Sequence, residues 1–286
     1  MVGHENCGLD GRLVSGDGEP VDRPEAPRPA APLHGTWIVD LDGVVWLAGQ
    51  AIAGVAEAVA RLRDAGVTVV FATNNSAPTI DELIERMRHA GIPAGPADLI
   101  TSAQAAASVV QPGETVLALA DGGAREALVA RGARLVDTEE VDVVVVGWTH
   151  DITFDRLARA AGAARAGARL IGTNDDPTHP TPEGLMPGSG ALLAYVVTAS
   201  GKAAQVAGKP YQPMIDLIRA HHPDATLVVG DRPSTDGLLA RALGAPFALV
   251  YSGVTAEGDP VDPPADYAAA DFQHLVDQAA GIAEAN

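Results

Sequence analysis

Only one of the 286 residues is a cysteine, Cys7, so no disulfide can form within the chain and a reducing compartment is the expected setting. Basic residues are scarce too: 19 Lys and Arg face 37 Asp and Glu, for a formal net charge of −18. Such a field repels phosphate backbones and anionic lipid, so neither nucleic acid nor a membrane surface is an expected partner. No apolar run approaches the roughly 20 residues that span a bilayer, and no basic-then-apolar leader pattern opens the chain. These absences predict a cytoplasmic protein. What the chain has is length for one large or two modest domains, and 47% hydrophobic residues with which to bury a core.

Residues 1–34 carry much Gly, Pro and charge without apolar periodicity, and read as a disordered extension or the product of an upstream start codon. Order is expected from Trp37. The run 37–39 stops at Asp40, as a buried strand would. A helix follows with Val55, Val59 and Leu62 on one face, ending near Gly66. The run 67–72 stops at Thr73-Asn74-Asn75, and Thr79 with Glu82 form a capping box opening a helix that carries Leu83, Met87 and Ala90 as far as Gly91. This strand-helix alternation predicts a parallel sheet wrapped by helices. Between about 105 and 205 further strands (116–120, 141–148, 170–173) and helices (125–130, 154–166, one after Gly188 and Gly190) predict a second α/β domain inserted in the first. The core resumes at 227–229, followed by a helix at 238–243, a run at 247–251 and an acidic, Pro-rich C-terminal region. The expected division is 35–104 and 206–286 for the core and 105–205 for the insertion.

Three apolar runs end in acids or a hydroxyl: Asp40 with Asp42, Thr73, and Asp231 with Asp236. In an open parallel sheet these positions gather outside the carboxyl ends of the strands. Asp40 and Asp42 repel one another when ionised, and a divalent cation with oxygen ligands relieves that repulsion. Mg²⁺ suits such a site, because it keeps positions for water and a substrate phosphate. A carboxylate can then attack phosphorus and form an acyl phosphate, while the second acid protonates the leaving oxygen and later deprotonates water. Gly43 allows a tight turn beside the phosphate. Thr73, Asn74 and Asn75 offer a hydroxyl and backbone N–H groups to phosphate oxygens, and Lys209 adds fixed positive charge. Asp231 is the natural further metal ligand, with Asp236 behind it orienting the metal's water or Lys209. Any one of these acids could equally be an ordinary turn or helix cap; their number and order favour a site.

The set Asp40-Leu41-Asp42-Gly43-Val44, Thr73-Asn74-Asn75, Gly208-Lys209-Pro210 and Gly230-Asp231-Arg232-Pro233-Ser234-Thr235-Asp236 resembles the four motifs of haloacid-dehalogenase-type hydrolases. Val144-Val145-Val146-Gly147, Gly172-Thr173-Asn174-Asp175-Asp176 and Pro187-Gly188-Ser189-Gly190 are similar to the cap of its NagD-like and p-nitrophenylphosphatase-like branch, class IIA. The resemblance covers residues 36–255. It implies a Rossmann-like core with a large inserted α/β cap, and a Mg²⁺-dependent phosphatase of small phosphomonoesters. By the same resemblance Asp40 is the nucleophile and Asp42 the general acid/base. The metal would be held by the carboxylates of Asp40 and Asp231 and the backbone carbonyl of Asp42, and the phosphate by Thr73, Asn74 and Lys209. The second acid argues against dehalogenase chemistry. Related caps often dimerise, so the resemblance leaves a homodimer through the cap open without fixing the oligomeric state.

Other signals are weaker. Ser200-Gly201-Lys202 lacks the upstream glycine of a P-loop, and Gly188-Ser189-Gly190 is too short for a dinucleotide fingerprint. His221 and His222 read as a solvated helix end, His150 as a residue near the cleft, and the acids near 260–271 as solvated surface. His179 lies in a loop that, by the resemblance, faces the site, and is a candidate substrate contact. Between Gly172 and Gly190 the acids Asp175, Asp176 and Glu183 occur without any Lys or Arg, so a second carboxylate on the substrate finds no partner in that stretch. Neutral leaving groups such as glycerol or a sugar are therefore expected over phosphoglycolate, unless Arg165, Arg169 or another segment reaches in. Phosphoglycolate or nucleotide hydrolysis, phosphoryl transfer to an alcohol, a mutase and a non-catalytic metabolite sensor are the competing readings.

Overall fold

The computed structural model describes residues 30–181 and 184–282 and builds them around two parallel sheets. Six strands form the first, in the order Tyr267–Ala269, Phe247–Val250, Ala225–Gly230, Thr36–Val39, Thr68–Thr73 and Leu99–Thr101. Five strands form the second: Gln205–Val206, Arg169–Gly172, Val143–Val146, Thr115–Leu119 and Arg134–Leu135. Every residue of Thr36–Val39, Val143–Val146 and Phe247–Val250 is buried, because helices cover both faces of a parallel sheet and leave no polar side to alternate with. This is a Rossmann-like α/β core with a second α/β layer built from the segment between its strands. The two sheets share one apolar cluster, in which Ile38 and Val70 of the first and Val143 and Val145 of the second meet Met214 and Ile218 of the helix Gln212–His221.

Local signals place the helices. Thr79 Oγ1 accepts from the Glu82 N–H at 3.2 Å while Glu82 Oε2 accepts from the Thr79 N–H at 2.8 Å, so the capping box starts the helix Ile80–His89. The helix Val55–Asp64 buries Val55, Ala58, Val59 and Leu62, the expected stripe and its neighbours. Phe154–Ala166 and Leu238–Leu243 have the predicted bounds. Gly201, with φ 70°, ends the helix Ser189–Ser200, so Ser200-Gly201-Lys202 is a helix terminus and not a phosphate loop.

Several expectations need correction. The C-terminal region is not only solvated surface: Tyr267–Ala269 extends the core sheet and Phe272–Ala279 buries Phe272, Leu275 and Val276. Trp37 takes part in this docking, its ring lying 6.5 Å from Phe272 at an interplanar angle of 79°. Order also begins before Trp37. Ala31 is buried, Trp37 Nε1 donates to Pro32 O at 2.8 Å and Thr226 Oγ1 donates to His34 O at 2.7 Å. Residues 1–29 of the expected extension, and Glu183, lie outside the described residues. Both expected internal boundaries cut elements, since the helix Ser102–Ser108 runs across 104/105 and the strand Gln205–Val206 across 205/206. His179 lies not in a loop but on a strand, Thr178–Thr181, paired antiparallel with Gly184–Pro187. Among the described residues no helix is long and apolar enough to cross a membrane.

Candidate active site

Asp40, Thr73 and Asp231 come from three neighbouring strands. Asp40 and Asp231 each follow the last residue of a strand, and Thr73 ends the third. The Asp40 N–H still donates to Val229 O at 2.9 Å, so the sheet ladder fixes its backbone one residue past the strand. Lys209 is buried beneath this row. Its three N–H donors are all used, on Asp40 Oδ1 at 2.6 Å, Asp236 Oδ1 at 2.7 Å and Ala72 O at 2.9 Å. Asp236 reaches it from a single π turn, Pro233–Gly237, and is 1% exposed. Asp42 lines the cleft from the turn after Asp40, and its Oδ1 accepts from Trp46 Nε1 at 3.1 Å.

Charge is under-compensated here. Burial pushes the Asp40 carboxyl well above the ordinary range; Lys209 pulls it back, while Asp236, Asp231 and Asp42 push it further up. Burial and Asp236 raise Asp231 to about 6, against the pull of the Val254 N–H, which donates to its Oδ2 at 2.6 Å, and of Arg232 and Lys209. Burial works against the Lys209 charge, yet Asp236 and Asp40 outweigh it and hold its pKa above the ordinary value. Carboxylate oxygens of Asp40, Asp231 and Asp236 lie within 4.8 Å of one another. The backbone is shaped to admit Asp231: a Cβ on Gly43 or Gly253 would fall 2.3 or 1.9 Å from its Oδ2. Lys209 already serves Asp236 and one oxygen of Asp40, so the charge left over, together with oxygen-only donors, fits a divalent cation.

A cavity of about 270 Å³ opens above this row. Asp40, Asp42, Thr73, Asn74, Asn75, Lys209 and Asp231 all line it, and His179 lines it from the other side; Asp236 lies below, against Lys209. Asn74 ties the two sides together. Its Nδ2 donates to Asp176 Oδ2 and to Lys209 O, both at 3.1 Å, and its Oδ1 accepts from the Lys209 N–H at 2.7 Å. Its side-chain polar atoms are thus occupied by protein groups. Thr73 Oγ1 accepts from the Asn75 N–H at 2.9 Å and retains its own proton to donate. His179 packs on Trp148, with ring centroids 5.2 Å apart. His150 packs on the same indole but does not line the cavity.

Trp148 and Arg232 line the cavity without having been singled out from the sequence, and Asp176, read there only as one acid of a stretch without basic residues, lines it too. Arg232 Nη1 donates to Asp176 Oδ1 at 3.2 Å. Both residues lie inside motifs read above, but their pairing joins positions 56 apart and leaves no local trace. Arg165 and Arg169 stay away from the cavity, bound to Ala199 O and Glu114 Oε2.

Comparison with known proteins points to one family. Residues 37–134 match the family model described as haloacid dehalogenase-like hydrolase, and residues 206–275 match the related HAD-hydrolase-like model. An acid sugar phosphatase from Staphylococcus haemolyticus is 34% identical over 227 residues, 77% of this chain and 86% of that protein. A D-glycerol 3-phosphate phosphatase from Mycobacterium tuberculosis is 36% identical over 235 residues, 80% of this chain and 66% of that protein. Structures of a glycerol phosphate phosphatase from the same organism, in complex with calcium and with magnesium, each superpose with a TM-score of 0.77 at 34% identity. They cover 85% of this chain and 74% or 76% of theirs. NagD from Escherichia coli K-12 superposes with a TM-score of 0.74 at 29% identity, covering 83% of this chain and 96% of that one. With the acid row, the buried lysine and the inserted second sheet all in place, the chain belongs to the haloacid dehalogenase-like hydrolases, in their NagD-like branch.

Proposed function

We propose that this phosphomonoester hydrolase works through an aspartyl phosphate at Asp40, on small esters such as glycerol phosphate or sugar phosphates. The observation that carries the reading is Asp40 itself. It lines the cleft at a strand end, and Lys209 holds Oδ1 at 2.6 Å, which leaves Oδ2 to attack. Attack by Oδ2 forms the new P–O bond as the bond to the leaving alcohol breaks. Asp42 gives its proton to the departing oxygen. Water then attacks the aspartyl phosphate, Asp42 takes the water's proton, and inorganic phosphate leaves with Asp40 restored. Thr73 donates to a phosphate oxygen, and the Lys209 charge stabilises the phosphoryl group beside Asp40.

The residues that would hold the metal are Asp40 and Asp231 through carboxylates and Asp42 through its backbone carbonyl. Asp236 supports them indirectly by fixing Lys209. Mg²⁺, when bound, neutralises the carboxylates and the incoming phosphate so that like charges can approach. The similar glycerol phosphate phosphatase solved with magnesium and with calcium supports a divalent ion. The names of the similar proteins, acid sugar phosphatase and D-glycerol 3-phosphate phosphatase, support a polyol or sugar leaving group.

The test is a panel of phosphate esters, with p-nitrophenyl phosphate as the generic member, assayed with Mg²⁺ and with chelator. Phosphate release that requires Mg²⁺ and favours glycerol or sugar phosphates is expected. Metal-independent turnover, or phosphate appearing on an added alcohol instead of in solution, overturns the reading.

A further inference from the structure

Resting on that reading, we propose that Asp176 is a built-in counter-anion that neutralises Arg232 and so sets the enzyme against substrates whose leaving alcohol carries a carboxylate. Among the described residues lining the cavity, Lys209 and Arg232 are the only Lys or Arg side chains. Lys209 is 3% exposed and fully engaged below the phosphate position. Arg232 is therefore the one strong cation available to a second anionic group on the substrate. Asp176 occupies it: Arg232 Nη1 donates to Asp176 Oδ1 at 3.2 Å, and Asp176 Oδ2 is held from the other side by Asn74 Nδ2 at 3.1 Å.

The geometry makes this an active-site device and not a surface ion pair. Both partners line the cavity, and their side chains are only 26% and 22% exposed. Asn74, which also binds the backbone of Lys209 on both its N–H and its carbonyl, gives Asp176 a fixed seat. A carboxylate on the leaving group would have to compete for Arg232 with a carboxylate already in place, and would meet repulsion from it. A neutral polyol meets neither obstacle; its hydroxyls can donate to Asp176 and accept from the remaining Arg232 N–H groups. The preference for neutral leaving groups thus follows from a charge pair across the cleft, in addition to the absence of basic residues from 172–190.

Asp176→Asn is the test, because it keeps the shape and removes the charge. The readout is the ratio of kcat/KM for phosphoglycolate to kcat/KM for glycerol phosphate, with Mg²⁺ present. One unscreened charge at this range predicts a rise in that ratio of roughly tenfold or more. In Asp176→Asn/Arg232→Gln the local charge is again zero, and the ratio should return to within about twofold of the starting value. Should Asp176→Asn fail to fold, Arg232→Gln alone is informative: it strands the Asp176 carboxylate, and the ratio should fall by a similar factor. A ratio unmoved in Asp176→Asn while turnover of both esters drops equally would mean that Asp176 only fastens the two sides of the cleft, and the proposal is lost. A ratio raised equally in the double variant overturns it as well. Failure of the starting enzyme to hydrolyse either ester tells against the phosphatase reading instead, so the two failures are distinguishable.

Discussion

Lys209 Nζ lies 2.6 Å from Asp40 Oδ1 although 169 positions separate them in the chain. Both groups are buried, and the same ammonium also serves Asp236 at 2.7 Å. One cation therefore holds the proposed nucleophile in place and keeps two carboxylates from facing each other uncompensated. Removing the lysine leaves both carboxylates charged and unpaired, which costs far more than losing an exposed bridge.

Lys209→Met should therefore be destabilising as well as inactive. A loss of about 3–5 kcal/mol is expected for breaking a buried pair from one side, lowering the melting temperature by roughly 10 °C for a chain of this size. Differential scanning calorimetry checks it. A melting temperature within a degree or two of the parent would show that the carboxylates are hydrated and the lysine dispensable.

Asp40→Asn separates chemistry from folding. The amide can still accept from Lys209 but cannot attack phosphorus, so kcat should fall by at least roughly a thousandfold, as when a nucleophile is removed elsewhere. Circular dichroism and the melting transition should stay close to those of the parent. Acid-stable, base-labile phosphate trapped on the parent and missing from the variant would mark the acyl phosphate; activity retained by the variant rules Asp40 out.

The response to Mg²⁺ should depend on pH with a definite sign. Asp231 has an ordinary value of 3.8 and is raised to about 6 in the folded protein, chiefly by burial. Below pH 3.8 both folded and unfolded chains hold the proton, and burial of the group has no charge to penalise. Between these values the folded chain keeps the proton and the unfolded chain releases it, so stability falls as pH rises, and the loss is complete above about 6. Asp40, shifted in the same direction, adds to the effect. A bound cation relieves it. The gain in melting temperature on adding Mg²⁺ should accordingly be larger at pH 7.5 than at pH 4.5, by roughly 5 °C. A gain that shrinks with rising pH contradicts the assignment of these acids as ligands.

Gly253→Ala probes the metal seat from the backbone side. A Cβ there would fall 1.9 Å from Asp231 Oδ2, and that carboxylate must move. The Mg²⁺ concentration for half-maximal activity should rise roughly tenfold or more, with activity recovered at high Mg²⁺ and the fold intact. An unchanged Mg²⁺ requirement would remove Asp231 from the ligand set.

The strands that bear Asp40, Thr73 and Asp231 were legible because each is an apolar run stopped by a polar residue. That pattern reports burial along the chain itself. The helix at 80–89 was legible from Thr79 and Glu82, whose capping bonds are local. The edge strand Tyr267–Ala269 and the helix after it escaped notice because they pack on segments distant in sequence, among them Trp37 and the helix Val55–Asp64. The pair Thr178–Thr181 and Gly184–Pro187 escaped notice because Pro180 and Pro187 speak against strands, yet each can occupy a two-stranded hairpin with no further neighbour to bond.

From sequence alone came the kind of chemistry: acids at strand ends, a hydroxyl, a lysine, and a segment long enough to roof them. Which charge answers which was decided only when two sheets packed together. The sequence offers the Asn74 backbone N–H to phosphate, and packing gives its side chain a separate role, binding Asp176 and the Lys209 backbone. Arg232 passed as a motif residue until Asp176 was brought to it from across the cleft. The reason is physical: burial periodicity is written residue by residue, while electrostatic partnership depends on distances through space that no local pattern records.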